Sequence, residues 1–228
     1  LAQSDIANDV SFAVVAYRNN TQYNPKIEYV SKIITPFTPV GNRAQAEARL
    51  GDMNEATVST HSFNEDAFAG IKTAIDDLAW SPYSIRVAVL VTDAGAIRND
   101  DPLSGTGLNE EELVDLLAQK GIRLVVIHLQ SPKNKKSRIV ANTRQYQKLT
   151  TVGDGNVKSA YIPLKVNSTA SASKLFVRIS EALVDVLTKI VDQASKGRPV
   201  QAPVKAAAPQ EPVAAAGYMA ERLGYAAY

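Results

Sequence analysis

Between Arg86 and Asp101 the alternation of apolar and polar positions changes at a single point. Val87-Ala-Val-Leu-Val91 runs without a break, and Thr92 and Asp93 then stop the run ahead of Ala94-Gly95. A short continuous apolar run bounded by turn residues predicts a strand covered on both faces, here over residues 85–91. Val10-Ser-Phe-Ala-Val-Val-Ala-Tyr17 predicts a second doubly buried strand, followed by a turn at Arg18-Asn-Asn-Thr21. Tyr29 to Phe37 predicts a more exposed strand, which Pro36 and Pro39 place at a sheet edge. These two are expected to form a hairpin joined by a loop. Ile122 to Leu129 and Ala160 to Val166 complete the predicted strands.

Between the strands the period lengthens. From Asn64 to Trp80, Phe68, Ile71, Ile75 and Leu78 fall three and four apart, the spacing of an amphipathic helix. Ser62 or Asn64 is the expected start, with Glu65 and Asp66 in the first turn where carboxylates favour the helix dipole; Ser81-Pro82 ends it. A second helix is expected from Asn109 to Gln119, opened by Asn109 and three glutamates and closed at Gly121. Ile139 to Leu149 and Ser171 to Ser195 predict two more, and residues 41–53 hold a short helical stretch. Strands alternating with helices require right-handed crossovers. The predicted fold is α/β: a doubly wound, mainly parallel sheet with helices on both faces. This domain spans residues 1–197. Residues 198–216 form a Pro/Ala-rich linker, and residues 217–228, with three tyrosines, a Met and a Leu, form a short tail suited to docking.

Composition narrows the chemistry. At 228 residues and 45% apolar content the chain can bury a substantial core. It has no cysteine, which removes disulfides, thiolate metal sites and thiol nucleophiles and fits a cytoplasmic setting. Only His61 and His128 carry imidazoles, so any metal would be a hard ion on oxygen ligands. Lys and Arg number 25 against 23 Asp and Glu, so the net charge of +2 makes no case for nucleic acid. The basic run Lys133-Asn-Lys-Lys-Ser-Arg138 reads as a solvated loop. No apolar run reaches the roughly 20 residues needed to span a bilayer, and residues 1–10 lack a signal-peptide pattern, so neither membrane insertion nor secretion is expected.

Asp93 stands at the carboxyl end of a predicted parallel strand, where open α/β sheets bind ligands. Its carboxylate has three roles open to it: ligating Mg²⁺, capping the next helix, or fixing the loop 94–108. The acidic pair Asp100-Asp101 in that loop either adds outer-shell oxygens or marks a wet loop.

Three stretches together carry a family resemblance: Arg86-Val-Ala-Val-Leu-Val-Thr-Asp-Ala-Gly95, Phe63-Asn-Glu-Asp-Ala-Phe-Ala-Gly-Ile-Lys-Thr-Ala-Ile75 and Val10-Ser-Phe-Ala-Val-Val-Ala-Tyr-Arg18. Over residues 1–196 the chain resembles the von Willebrand factor type A domain. It is most similar to the variety at the carboxyl end of bacterial serine/threonine protein kinases associated with type VI secretion. The resemblance implies a metal-ion-dependent adhesion site at the top of the sheet, holding Mg²⁺ or Mn²⁺ whose shell a partner protein's Asp or Glu completes. Of the family's three ligand positions, the Asp after the fourth strand matches Asp93. The position before the third helix falls among Thr60, Asn64, Glu65 and Asp66. The Asp-x-Ser-x-Ser motif of the first strand has no counterpart here, and the resemblance implies that the strand bearing it lies upstream. That strand is central in the family, so without it two parts of the sheet are expected to lack a neighbour.

Catalysis finds no support in the sequence. No Gly-x-Ser-x-Gly elbow, nucleotide-binding glycine motif or kinase catalytic element is present, and His61 and His128 read as a surface-loop residue and a strand-end residue. Trp80 reads as a core plug and Asp76-Asp77 as solvated surface. The expected function is a non-catalytic protein–protein interaction module of a signalling or secretion-regulating parent, whose kinase activity would lie elsewhere. A metal-free scaffold with a structural Asp93 is the alternative, and an α/β hydrolase the weaker one.

Overall fold

The strands predicted from continuous apolar runs pair into two separate sheets in a computed structural model of the chain. It describes residues 10–22, 24–42, 44–45, 48, 57–58, 63–131, 134–151, 160–165, 174, 177 and 180. Strands β1 (Ser11–Tyr17) and β2 (Ser31–Pro39) form an antiparallel hairpin, with register shifts between Phe12 and Val14 and between Val14 and Val15. The irregularity falls opposite Thr35-Pro36, where proline has no N–H to give the ladder. Strands β3 (Val87–Thr92), β4 (Arg123–Gln130) and β5 (Tyr161–Lys165) form a parallel sheet in that order. Val87 pairs with Arg123 and Thr92 with His128 without a shift between them.

Because the order β3-β4-β5 advances in one direction, right-handed crossovers put both intervening helices on the same face. These are α2 (Glu110–Gln119) and α3 (Lys136–Thr150), and α1 (Ala67–Asp77) joins them in one core. Phe68, Ile71 and Ile75 of α1 and Leu113 and Leu117 of α2 meet Leu90, Leu124 and Val126 of the sheet. Phe68 and Leu113 are fully buried, a burial that contributes about 1.5–3 kcal/mol for each side chain. On the opposite face Val125 packs with Ala160 and Ile127 with Leu164. The described residues thus show an α/β protein with helices flanking a three-stranded parallel sheet. None of the described helices is long and apolar enough to cross a membrane.

Several expectations are corrected. Helix α1 starts later than the apolar spacing suggests, because its N-cap is Asp66 and not Ser62 or Asn64: the carboxylate accepts from the Ala69 amide at 3.0 Å. It also ends earlier, at Asp77. Leu78 turns extended, and Trp80 folds back so that its indole N–H donates to the Ala74 carbonyl at 2.6 Å. Trp80 is buried edge-on against Phe37, with ring centroids 4.8 Å apart, the plug its position predicts. Part of the basic run is not loop: Lys136, Ser137 and Arg138 form the first turn of α3. The turn is exposed, so apolar spacing gives no sign of it, and Arg138 lies over the Phe63 ring at 4.5 Å. Asn109 caps α2 as expected, through a reciprocal capping box with Glu112.

Neither β1 nor β3 is doubly buried. All seven residues of β1 are partly exposed, and Val89 and Val91 of β3 are exposed, each strand having a partner on one edge alone among the described residues. The other edge of β1 borders a cavity of about 710 Å³ whose far wall is the edge of β3 that has no partner among the described residues. Of the long helix expected over residues 171–195, only Lys174, Val177 and Ser180 are described, and all three are helical. The linker 198–216, the tail 217–228, His61 and Thr60 lie outside the described residues.

Candidate functional site

The carboxyl ends of β1 and β3 meet the start of α1 in a layer of backbone and amide hydrogen bonds. Glu65 pairs with Ala96 in an isolated parallel bridge: the Glu65 amide donates to the Gly95 carbonyl and the Ile97 amide to the Glu65 carbonyl, each at 3.0 Å. The Asp66 amide donates to the Arg18 carbonyl at 2.8 Å, joining the same layer to β1. Asn19 and Asn20, buried just past β1, extend it. The Asn19 side-chain amide donates to the Asn64 carbonyl, and that of Asn20 to the Leu103 carbonyl, both at 2.9 Å. From α3, the fully buried Tyr146 donates its hydroxyl to the Ala94 carbonyl at 2.7 Å. Gln145 brackets Ala96, accepting from its N–H and donating to its C=O, each at 3.0 Å.

On this layer stand the residues that the sequence puts forward. Asp93 is exposed, directly after β3, and its backbone carbonyl accepts from the Asn134 side chain at 3.4 Å. Glu65 is half-buried. Burial first, and then the charge of Asp93, hold the Glu65 carboxyl above its usual range, with Arg18 opposing. The charge of Asp93 is thus felt at Glu65, and Arg18, which opposes it there, is paired with Glu28. Tyr17 belongs to the same group. Its hydroxyl, held protonated well above its ordinary range by burial and by Glu65 and Asp93, donates to the Val91 carbonyl at 3.3 Å.

Asp66 is placed differently. It is fully buried, and its second carboxylate oxygen accepts from the Gly105 amide at 2.7 Å while the first caps α1. Its two oxygens therefore pin the loop after β3 to the start of α1. Asn64 contributes its backbone carbonyl to Asn19 and has an exposed side chain. Of the acidic pair Asp100-Asp101, Asp101 accepts from the Leu103 amide at 2.9 Å, a local turn contact. The Thr92 hydroxyl bonds to both backbone groups of Ala94 and also interacts with the Tyr17 and Tyr146 hydroxyls.

His128 lies in the sheet interior, not at an open strand end. Its Nδ1 meets the Tyr161 hydroxyl at 2.7 Å, and Gln130 and Thr143 share that hydroxyl. Burial lowers its pKa, Asp93 opposing. An imidazole with no exposure has no access to a substrate in water.

Among the described residues no group of three or more carboxylates and imidazoles converges. Glu65 and Asp93, linked by the charge of one acting on the other, have no third such residue beside them among the described residues. A pair suits Mg²⁺, which commonly keeps several waters and takes one or two protein carboxylates. Tyr17, Asn19, Asn20, Gln145 and Tyr146 escaped the sequence reading. The signal for Asn19 and Asn20 is two adjacent asparagines after an apolar strand, a pattern that a turn produces equally well. Comparison of the chain with protein-family models, with curated proteins and with solved structures finds no match.

Proposed function

We propose that the chain is a non-catalytic protein–protein interaction module, and that a divalent cation at Glu65 and Asp93 bridges it to a carboxylate of the partner. The observation that carries this reading is the two acidic residues at the carboxyl ends of β1 and β3, where burial first and then the charge of Asp93 raise the pKa of a half-buried Glu65. Two carboxylates held near one another on a hydrogen-bonded layer repel, and a cation relieves that repulsion. Mg²⁺ or Mn²⁺ would supply a positive charge that the partner's Asp or Glu can ligate. This chain's residues would hold the ion, while Asp66 fixes the loop beside it. The resemblance of residues 1–196 to a von Willebrand factor type A domain supports the same reading. It suggests a cytoplasmic signalling parent connected with type VI secretion.

A metal-free module is the second reading, and the lack of a third carboxylate or imidazole among the described residues favours it. Calorimetric titration of Mg²⁺ and Mn²⁺ into the protein, with Asp93→Ala and Glu65→Gln beside it, separates the two. Saturable heat in the parent, lost in both variants, supports the metal reading. A folded protein that takes up neither ion leaves the metal-free module.

A further inference from the structure

Helix α3 begins beyond the sheet on which it packs. Gln145 and Tyr146 meet Ala96 and Ala94, just past the carboxyl end of β3, and the first buried residue of the helix is Asn142. The stretch from Lys136 to Ala141, about 9 Å of helix, therefore stands clear of the core. Two contacts fix where it stands: the Asn134 side chain donates to the Asp93 carbonyl, and Arg138 lies over the Phe63 ring. The projecting turns thus border the layer that carries Glu65 and Asp93.

Their charge is of one sign. The charged residues of α3 are Lys136, Arg138, Arg144 and Lys148, and none is acidic. Lys148 pairs with Glu111, and Arg138 is held on Phe63. Lys136 and Arg144, and Lys135 just before the helix, have no ion-pair partner among the described residues. Bases in a first turn also oppose the helix dipole, and the first turn of α3 has neither an acid nor a side-chain cap. Nothing within the helix offsets this arrangement, and a carboxylate brought from outside would.

Lys136, Val140 and Arg144 fall four apart, so they form one exposed row, with the two charges about 12 Å apart along the axis. Val140 stands between them and is 50% exposed. The complement of such a row is a second row of the same period: a carboxylate, an apolar side chain and a carboxylate at i, i+4 and i+8 of another helix, packed alongside at about 8–10 Å. A nucleic acid fits less well. Its phosphates would leave Val140 without an apolar neighbour and would lie near the carboxylates of Asp93 and Glu65, which repel them. We propose that the row Lys136–Val140–Arg144 is a docking surface for an acidic amphipathic helix of a partner protein. This inference shares with the function proposed above the premise of a protein partner, but it needs no cation and uses neither Glu65 nor Asp93.

The test is fluorescence anisotropy, in EDTA, of the labelled peptide Ala-Ala-Gln-Ala-Glu-Ala-Ala-Gln-Leu-Ala-Ala-Gln-Glu-Ala-Ala-Gln. Saturable binding is expected, weakened by roughly tenfold or more when both Glu are replaced by Gln. Lys136→Glu and Arg144→Glu are each expected to weaken it by roughly fivefold or more, whereas Lys120→Glu, the same charge change at the end of α2, leaves it within about twofold. All three positions are exposed, so the variants keep the fold, which circular dichroism checks. The double variant Lys136→Glu/Arg144→Glu is expected to prefer a peptide with Lys in place of both Glu. Equal weakening by Lys120→Glu assigns the binding to net charge and overturns the proposal. So does a double variant without that preference, or no saturation at about 1 mM peptide. A single-stranded oligonucleotide that binds more tightly than the acidic peptide, and is lost in Arg144→Glu, makes the row a polyanion site and also overturns it. Peptide binding that appears with added Mg²⁺ and not in EDTA belongs to the Glu65–Asp93 reading and counts against this one.

Discussion

Asp66→Ala removes the residue that holds the top loops to α1, and its cost can be worked from two hydrogen bonds. The bond to the Ala69 amide at 3.0 Å is an N-cap, whose loss costs about 0.5–2 kcal/mol. The bond from the Gly105 amide at 2.7 Å has a charged acceptor and is worth about 1.5–3 kcal/mol. Two effects reduce the sum. Gly105 is exposed, so water can replace the carboxylate there, and burial raises the Asp66 pKa against the pull of both amides. A loss of about 2–4 kcal/mol is therefore expected. Asp66→Asn keeps an acceptor for Ala69 but turns its amide N–H₂ toward Gly105, so it is expected to lose only about 1–2 kcal/mol. Urea unfolding followed by circular dichroism measures both, with an unchanged slope as the sign that stability alone has moved. A loss below about 0.5 kcal/mol in Asp66→Ala, or an asparagine as harmful as the alanine, would refute the assignment of Asp66 as a double tie.

Three further outcomes follow from the packing and the charges. In Gly70→Ala the new Cβ would lie 2.8 Å from Cβ of Tyr17; overpacking costs about 1–3 kcal/mol against a helix-propensity gain of up to about 1, so urea unfolding should show a net loss, and a stabilised variant counts against this contact. The Glu65 pKa is raised in the fold, so its contribution to stability is full below the unfolded value and declines as pH rises through the folded one; Asp93→Asn, measured without metal, should reduce that decline above the ordinary carboxylate range, and an unchanged decline means the two carboxylates do not interact. His128 has the opposite sign. Its pKa is lowered by burial, so the unfolded chain binds the extra proton and stability falls as pH drops below about 6.5; His128→Gln should flatten that part of the urea profile, and an identical slope in the variant would show that another group titrates there.

Residues 123–130 were legible as a strand because a strand buried on both faces needs apolar side chains at every position, and few other structures do; residues 87–92 carry the same kind of run although Val89 and Val91 are exposed. Helix α2 was legible to within a residue because Asn109 and Glu112 form a cap that sequence spacing records. Asp93 was placed at one end of the sheet by the rule that ligands meet carboxyl ends of strands, and Asn64, Glu65 and Asp66 were set beside it by the family resemblance. Neither could separate Glu65, whose side chain feels the charge of Asp93, from Asp66, whose oxygens are consumed by two amides. The division depends on which way adjacent side chains turn, and this is set by contacts some 30 to 40 residues away, at Ala96 and Gly105. Tyr17, Asn19 and Asn20 were hidden for the same reason. Their partners Val91, Asn64 and Leu103 are distant in sequence, and no local period marks them.

The Glu65–Ala96 bridge bears on how costly binding would be. A ligand gripping a loose loop must first pay for ordering it, on the order of 1–2 kcal/mol for each residue fixed. Here the backbone under Glu65 is tied on both sides, to Gly95 and Ile97, and the next residue is tied to Arg18. Much of that conformational entropy is surrendered when the chain folds, before any ligand arrives. An ion or partner meeting Glu65 would encounter a pre-organised surface, and more of its interaction energy would be left to appear as affinity.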